Sequence, residues 1–409
     1  MNQEKTTVPK ALKFTELLPA SVLGILYFVF FSFFYENHLR FTEQLQLFLL
    51  TGNYFTGKLM LPGGFNSWTG GILTQFYHIP VTGALIIAIL LVTIQLLTRR
   101  IILKFSIPGK ISILSLLPAL LAGFILCNEL FPLSAITGFA GSLAATLIYT
   151  GIKNTRWRPV TGFVLIPLVY VLLGGAYLAM VVLMTAFELI PAKAPDKTEK
   201  NLNSSGTIRI NKLKPWLTIL YIPAAAAIPL LFRHFFVFQP LRQSFLTEFY
   251  HNIPDKIPVV IPVLFALPSV IVILYSLIPQ KYLKNKYCII AQILIILGTG
   301  IYGYNKWVNF DAERTMTYDQ LVRNQKWEKV ISFAGKKPPG NYLSLAMLNL
   351  SLAKTGQLGD KMFNYSQHGT EGLFLRFDKE FISPMMGNEI LYHLGLVNAS
   401  QEYAFESME

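Results

Sequence analysis

The sequence predicts an all-α protein in two parts. A polytopic α-helical membrane domain occupies residues 1–310 with about nine membrane segments, and a helical-repeat domain follows over 311–409. Three observations predict this. Hydrophobic residues make up 53% of the chain against 14% charged, with a mean hydropathy of +0.47, whereas soluble domains carry roughly 25% charged residues. Apolar runs close to the ~20 residues a helix needs to cross the hydrocarbon recur as far as residue 304. After that point 11 Lys plus Arg face 12 Asp plus Glu, an ordinary soluble balance.

The first apolar run covers 17–35 behind Lys5, Lys10 and Lys13. It has membrane-span length and no small-residue cleavage site after it, so it is expected to stay as a span. The second covers 79–97 and ends at Arg99, Arg100, Lys104 and Lys110. Runs over 111–127 and 133–149 form a hairpin around "NELFP" and return to Lys153, Arg156 and Arg158. The apolar stretch 159–190 is too long for one ordinary span, and one tilted helix would put Lys193, Lys197, Lys200, Arg209, Lys212 and Lys214 outside. The positive-inside rule opposes that, so two short helices hinged near Gly174 and Gly175 are expected, as a shallow hairpin supported by its neighbours. Runs over 216–232, 257–278 and 287–304 complete the set.

Along this path 19 Lys plus Arg fall on inner segments and 5 on outer loops, with 11 in the tail. That asymmetry predicts a cytoplasmic amino terminus and an external carboxyl terminus. It also accounts for the net charge of +13, so no nucleic-acid binding is inferred. Cys127 and Cys288 fall near opposite membrane faces and lack metal-ligand spacing, so both read as small hydrophobes.

The tail reads as helices broken by "GKKPPGN" and "KTGQLGD". "NQKWEKVI" from Asn324 and "TGQLGDKM" from Thr355 are 31 residues apart, near the ~34-residue tetratricopeptide period. Trp327 and Leu358 occupy the equivalent position after each turn, and plain helical hairpins also fit. Trp327, Tyr342 and Leu358 are the candidate partner-binding residues. The last helical stretch, 389–408, lacks a cap, which predicts that the natural chain continues beyond Glu409.

The loop 36–78 carries the most unusual text. Phe41, Leu45, Phe48 and Leu49 share a helix face, as in a helix lying at the membrane interface. All six histidines fall on the predicted outer side, where with Glu36, Glu43, Glu129, Glu248 and Asp255 they are able either to bind a cation or supply a base, or simply to anchor helices in headgroups. Glu36 follows the first span directly, where an acid is solvated, paired or used. Arg40, four residues on, offers a structural ion pair, and a catalytic carboxylate fits equally. "LTQFYHIP" from Leu73 nearly recurs as "LTEFYHNIP" from Leu246, either as a duplicated element or as two aromatic belts.

Through "EQLQLFLLTGNYF", "PGGFNSWTGGILTQFYHIP" and "LAKTGQLGDKMFNYSQHG" the chain resembles, along its whole length, an uncharacterised family of Bacteroidota inner-membrane proteins. That resemblance implies a tetratricopeptide-like extracytoplasmic tail and brings no activity. By architecture the chain also resembles GT-C-type glycosyltransferases that use polyprenyl-phosphate-linked sugars. Those enzymes place an acid just after the first span, beside interfacial helices. The resemblance makes Glu36 the catalytic carboxylate with Glu43 second, and Arg233 or Arg242 the balance for the lipid phosphate. Substrate-binding candidates are then His38, Arg40, His78, Arg233, Arg242, Glu248 and His251, with a divalent cation as possible cofactor; no metal site is assigned from spacing. The loop lacks the paired Asp-Asp or Asp-Glu common in that class.

Two functions are therefore expected to compete. One is sugar transfer at the outer face of a bacterial inner membrane, with the tail in the periplasm. The other is a non-catalytic scaffold of an envelope assembly or export complex, binding protein partners through the tail. A transporter ranks third, because the spans hold almost no buried charge.

Overall fold

Every regular element among the described residues of the computed structural model is a helix, and these residues are 14–105, 112–190, 213, 215–236, 238, 240–246, 259–283, 285–367, 369–375 and 382–407. They divide into two compact units, Met1–Phe34 with Thr42–Val308, and Tyr35–Phe41 with Asn309–Glu409.

Helices α1 (Phe14–Val29), α2 (Glu36–Gln44), α3 (Gly52–Leu59), α4 (Gly64–Thr74) and α5 (Pro80–Lys104) open the chain. Helices α6 (Leu117–Ile125), α7 (Leu133–Gly151), α8 (Trp157–Leu173) and α9 (Tyr177–Leu189) follow, then α10 (Pro215–Ile219), α11 (Tyr221–Phe235), α12 (Leu241–Phe245), α13 (Val260–Leu277), α14 (Gln280–Leu283) and α15 (Lys286–Trp307).

Seven stretches among the described residues are long and apolar enough to cross a membrane. They are Leu17–Phe34, Pro80–Lys104, Leu133–Gly151, Trp157–Leu189, Trp216–Phe235, Val260–Leu277 and Lys286–Trp307. The sequence predicts nine segments, and two places account for the difference. The run over 111–127 is only a short apolar stretch, Ile113–Ile125, because a 3-10 turn over Ile113–Leu116 precedes α6 and Pro118 sits in the first turn of the α-helix proper. The other place is Trp157–Leu189, one apolar stretch containing two helices.

That stretch doubles back. A continuous helix would hold Arg158 and Glu188 about 45 Å apart at about 1.5 Å per residue, yet Arg158 Nη1 lies 3.1 Å from Glu188 Oε1. The reversal occurs at Gly174, whose φ of 70° and ψ of −144° lie in backbone space essentially reserved for glycine. The arms have 17 and 13 residues, each short for a complete crossing. Tyrosines beside the tip tie them to other helices: Tyr170 donates to the Ser244 carbonyl at 2.8 Å and Tyr177 to that of Ala225 at 2.9 Å. The hinge expected at Gly174 and Gly175 is therefore where the chain turns.

Helix α7 is the centre of this unit, packing against α4, α5, α8 and α9. The text "PGGFNSWTGG" specifies how α4 meets it. Asn66 Nδ2 donates to the Ser134 carbonyl at 2.6 Å, and Thr137 Oγ1 donates to Asn66 Oδ1 at 2.7 Å. One turn on, a Cβ at Gly70 would lie 2.7 Å from the Ser134 backbone, so the close approach requires glycine. At the periphery, α15 buries only Gln292 and Gly303.

The interfacial helix expected over Phe41 to Leu49 stops at Gln44. The chain turns there, with the Gln46 amide on the Glu43 carbonyl at 3.1 Å, and Thr51 caps a new helix by accepting from the Tyr54 amide at 3.3 Å. Phe48 turns inward onto Tyr54 and Trp68, with ring centroids 5.4 and 6.3 Å away. No single apolar face survives this break.

The second unit holds three helical pairs: α16 (Phe310–Arg323) with α17 (Trp327–Lys336), α18 (Tyr342–Lys354) with the one-turn α19 (Leu358–Lys361), and α20 (Ile382–His393) with α21 (Val397–Glu406). The pairs share one turn. Gln325, Gly356 and Gly395 have φ of 53°, 71° and 82°. The next amide in each case, Lys326, Gln357 or Leu396, returns to the carbonyl of Leu321, Leu352 or Leu391 at 2.9, 2.8 and 3.0 Å. This left-handed cap satisfies the last carbonyls of the first helix and reverses the chain. The two turns 31 residues apart are present, and a third lies at "HLGLV". Helix α18 is the buried centre, its ten residues from Leu343 to Leu352 all enclosed.

Candidate functional site

The segment Tyr35–Phe41 directly follows the first apolar helix in sequence but packs within the second unit. Its anchor is Glu313 on α16. Glu313 Oε1 accepts the Asn37 amide at 3.0 Å and Asn37 Nδ2 at 3.1 Å, and Oε2 accepts the His38 amide at 2.8 Å. A carboxylate at the first amides of α2 meets unsatisfied donors and the positive end of the helix dipole. Asn37 Nδ2 also donates to Thr317 Oγ1 at 3.0 Å, and the Tyr35 hydroxyl accepts the Asn309 amide at 3.0 Å. Burial nevertheless dominates, pushing the Glu313 carboxyl up to about 7; the three donors oppose it and Glu36 adds to it.

Beside this anchor lies a pocket of about 320 Å³ lined by Glu36, Asn37, Arg40, Thr317, Gln320, Leu321, Asn324 and Lys326. Its size is at the small end of ligand sites. Glu36 is half-exposed and pairs with Arg40 Nη2 at 3.4 Å, while Arg40 Nη1 donates to Asn37 Oδ1 at 2.8 Å. The ion pair anticipated between Glu36 and Arg40 is thus formed, and Glu36 is the one acid lining the pocket.

The other candidates are distributed as follows. His38 is buried and its ring centroid lies 4.7 Å from that of Tyr35. Glu43 belongs to the first unit, where burial raises its carboxyl above the ordinary value and the nearby His78 opposes the rise. His78 is exposed, with Nδ1 2.8 Å from the Gln75 carbonyl. Arg233 and Arg242 are exposed, on α11 and α12. Glu248 and His251 lie outside the described residues, as does most of the second octapeptide copy. In the first copy Tyr77 is buried while Phe76 and His78 are exposed, so its rings do not form a uniform headgroup belt. Among the described residues no group of three His, Cys, Asp or Glu converges in a way that could hold a metal ion.

In the second unit the Trp327 ring stands edge-on to His393 with centroids 5.0 Å apart, and the Tyr342 hydroxyl is 3.0 Å from Ser383 Oγ. Leu358 is half-buried at the start of α19. Trp327 and Tyr342 are thus engaged inside the unit. Asp319 accepts from Arg323 Nε at 2.8 Å, and Arg323 donates onward to the Met385 carbonyl at 2.8 Å and approaches Glu389 at 3.6 Å. Burial pushes Asp319 up to about 6, against the opposing pull of Arg323.

The first unit contains a charged cluster that the sequence reading missed. The sequence predicts spans with almost no buried charge, yet the side chains of Glu188 and Arg158 are both fully buried within them. Glu188 Oε1 also accepts from the Tyr149 hydroxyl at 3.1 Å, and Oε2 accepts the Leu213 amide at 2.9 Å. Arg158 donates from Nε and Nη2 to the Ile152 carbonyl at 3.0 and 2.9 Å. The cluster closes the open end of the α8–α9 hairpin. Its charges and hydrogen-bonding groups satisfy one another, as buried ions require. The only sequence signal was the appearance of Arg158 and Glu188 near opposite ends of one apolar stretch.

No curated protein and no solved structure matches the chain. A model of a family of unknown function, DUF6057, matches residues 10–409. With that match running through the membrane helices, the Glu313-anchored segment and the helical pairs alike, the chain belongs to the DUF6057 family.

Proposed function

We propose that the protein is a membrane-anchored scaffold that offers its C-terminal helical pairs to protein partners in an envelope assembly or export complex. The carrying observation is the state of Glu36, on which the enzyme reading depends. It is paired with Arg40 on a helix whose first amides are held by Glu313, and Glu43, its supposed second, belongs to the other unit. Such a carboxylate serves to fasten a segment. The helical pairs meanwhile expose Tyr392, Leu396, Val397 and Phe405, large apolar side chains suited to a partner. The lysine and arginine distribution supports a bacterial inner-membrane protein with nine membrane segments, an internal amino terminus and a periplasmic, tetratricopeptide-like tail. Site-specific photo-crosslinking from position 397 or 405 in cells is expected to capture a stoichiometric protein partner. Recovery of none, with the full chain present in the membrane, overturns the scaffold.

One observation favours sugar transfer as a second reading: the pocket sets the Glu36 carboxylate beside Arg40 and Lys326, an acid with two cations for a lipid-linked phosphate. In it Glu36 would take the acceptor hydroxyl proton. Among the residues that line it, the pocket's single acid does not make a divalent-cation site. Glu36→Gln is expected to retain any envelope glycan that deletion of the protein removes; loss of that glycan in Glu36→Gln would decide for the enzyme.

A further inference from the structure

We infer that the groove between the C-terminal ends of α5 and α7 is a binding site for the headgroup of an anionic glycerophospholipid. The groove has a volume of about 410 Å³ and is lined by Arg100, Leu103, Lys104 and Leu147. Arg100 and Lys104 are one helical turn apart, so both project from the same side of α5. Both are exposed, and among the described residues neither has an ion-pair or hydrogen-bond partner.

Among the described residues no acidic side chain pairs with either of them. Between Glu43 and Glu188 the only acid in the sequence is Glu129. Glu129 precedes the start of α7, whereas Leu147 stands about 20 Å farther along, near the end of that helix. Glu188 is committed to Arg158, Tyr149 and the Leu213 amide. Two like charges one helical turn apart repel one another, and the negative end of the α5 dipole offsets that repulsion only in part. Leu103 and Leu147 line the same groove. A phosphate between the cations and an acyl chain along the leucines satisfies both chemistries at once. Because α5 is itself a candidate membrane span, its basic end is placed where a bilayer presents headgroups. A choline headgroup would bring a cation of its own toward Arg100 and Lys104.

The test is native mass spectrometry of the purified full chain titrated with dioleoylphosphatidylglycerol or dioleoylphosphatidylcholine. The wild-type protein is expected to retain phosphatidylglycerol preferentially. Arg100→Gln with Lys104→Gln should weaken that retention by about 25-fold, at about fivefold for each charge, and leave phosphatidylcholine unchanged. Leu147→Trp, which fills the groove and keeps both charges, should weaken it as well. Lys153→Gln with Arg156→Gln, removing exposed cations outside the groove, should not. Equal losses in the two double variants would show diffuse surface attraction and overturn the site, as would full retention in Leu147→Trp. Displacement of the lipid by inorganic phosphate would assign the cations to a free anion and overturn the lipid headgroup.

Discussion

Glu313 on α16 holds the His38 amide at 2.8 Å, joining two residues 275 positions apart within one compact unit. Its carboxyl is raised to about 7 from an ordinary 4.5, mainly by burial. The folded state therefore binds the proton more tightly than the unfolded chain. The stability this gives is fully present below about pH 4.5 and is lost as pH rises through about 7, an interval worth about 3 kcal/mol. Thermal unfolding in detergent should show that decline. Glu313→Gln should flatten it, and Glu313→Ala should cost about 1–3 kcal/mol at every pH by leaving buried amides unpaired. An unchanged profile in Glu313→Gln would remove Glu313 as its source.

The buried pair of Arg158 and Glu188 makes a different prediction. Removing either partner strands the other charge among apolar helices, so Arg158→Ala or Glu188→Ala should each destabilise by about 3–5 kcal/mol. Arg158→Met combined with Glu188→Met should cost less than either single change, although the Leu213 amide and Tyr149 hydroxyl lose their acceptor. A double-mutant cycle on melting temperature measures this, and additive losses would mean that the pair is not coupled.

Adjacent glycines on α4 should respond unequally. A Cβ at Gly70 meets the Ser134 backbone at 2.7 Å, whereas one at Gly71 meets the Phe48 ring at 2.8 Å. Backbone on a packed helix cannot yield as a side chain can. Gly70→Ala is expected to destabilise by about 1–3 kcal/mol, and Gly71→Ala by less. Parallel melts of the two variants compare them directly.

The three shared turns allow a stabilising change. Gln325 occupies the left-handed position that Gly356 and Gly395 fill in the other pairs. Gln325→Gly should raise stability by up to about 1 kcal/mol, and Gly395→Ala should lower it by about 1 kcal/mol. Denaturant titration of the full chain in detergent reads both signs.

How much of this was visible beforehand depended on the range of each interaction. The helical turns were readable at "NQKW" and "TGQL" because a cap is encoded within a few residues. "HLGLV" escaped because it lies 39 residues beyond Gly356 rather than repeating the first interval of 31. The reversal at Gly174 was anticipated from two glycines and the basic residues that follow. Glu36 with Arg40 was readable as a pair four positions apart on one helix. Glu313 carried only the local mark of an acid in a helix's first turn, and nothing near it points to residues 37 and 38.

The sequence by itself determined the apolar helices, the change in composition toward the helical tail, the hinge and two of the turns, since hydrophobic burial and backbone capping act on contiguous residues. Tertiary structure alone decided that Glu188 is sealed against Arg158, that Tyr35–Phe41 belongs with the tail, and that Arg100 and Lys104 share a groove with Leu147. In each of these a charge takes its character from groups distant in the chain, because desolvation and pairing depend on what folding brings within a few ångströms.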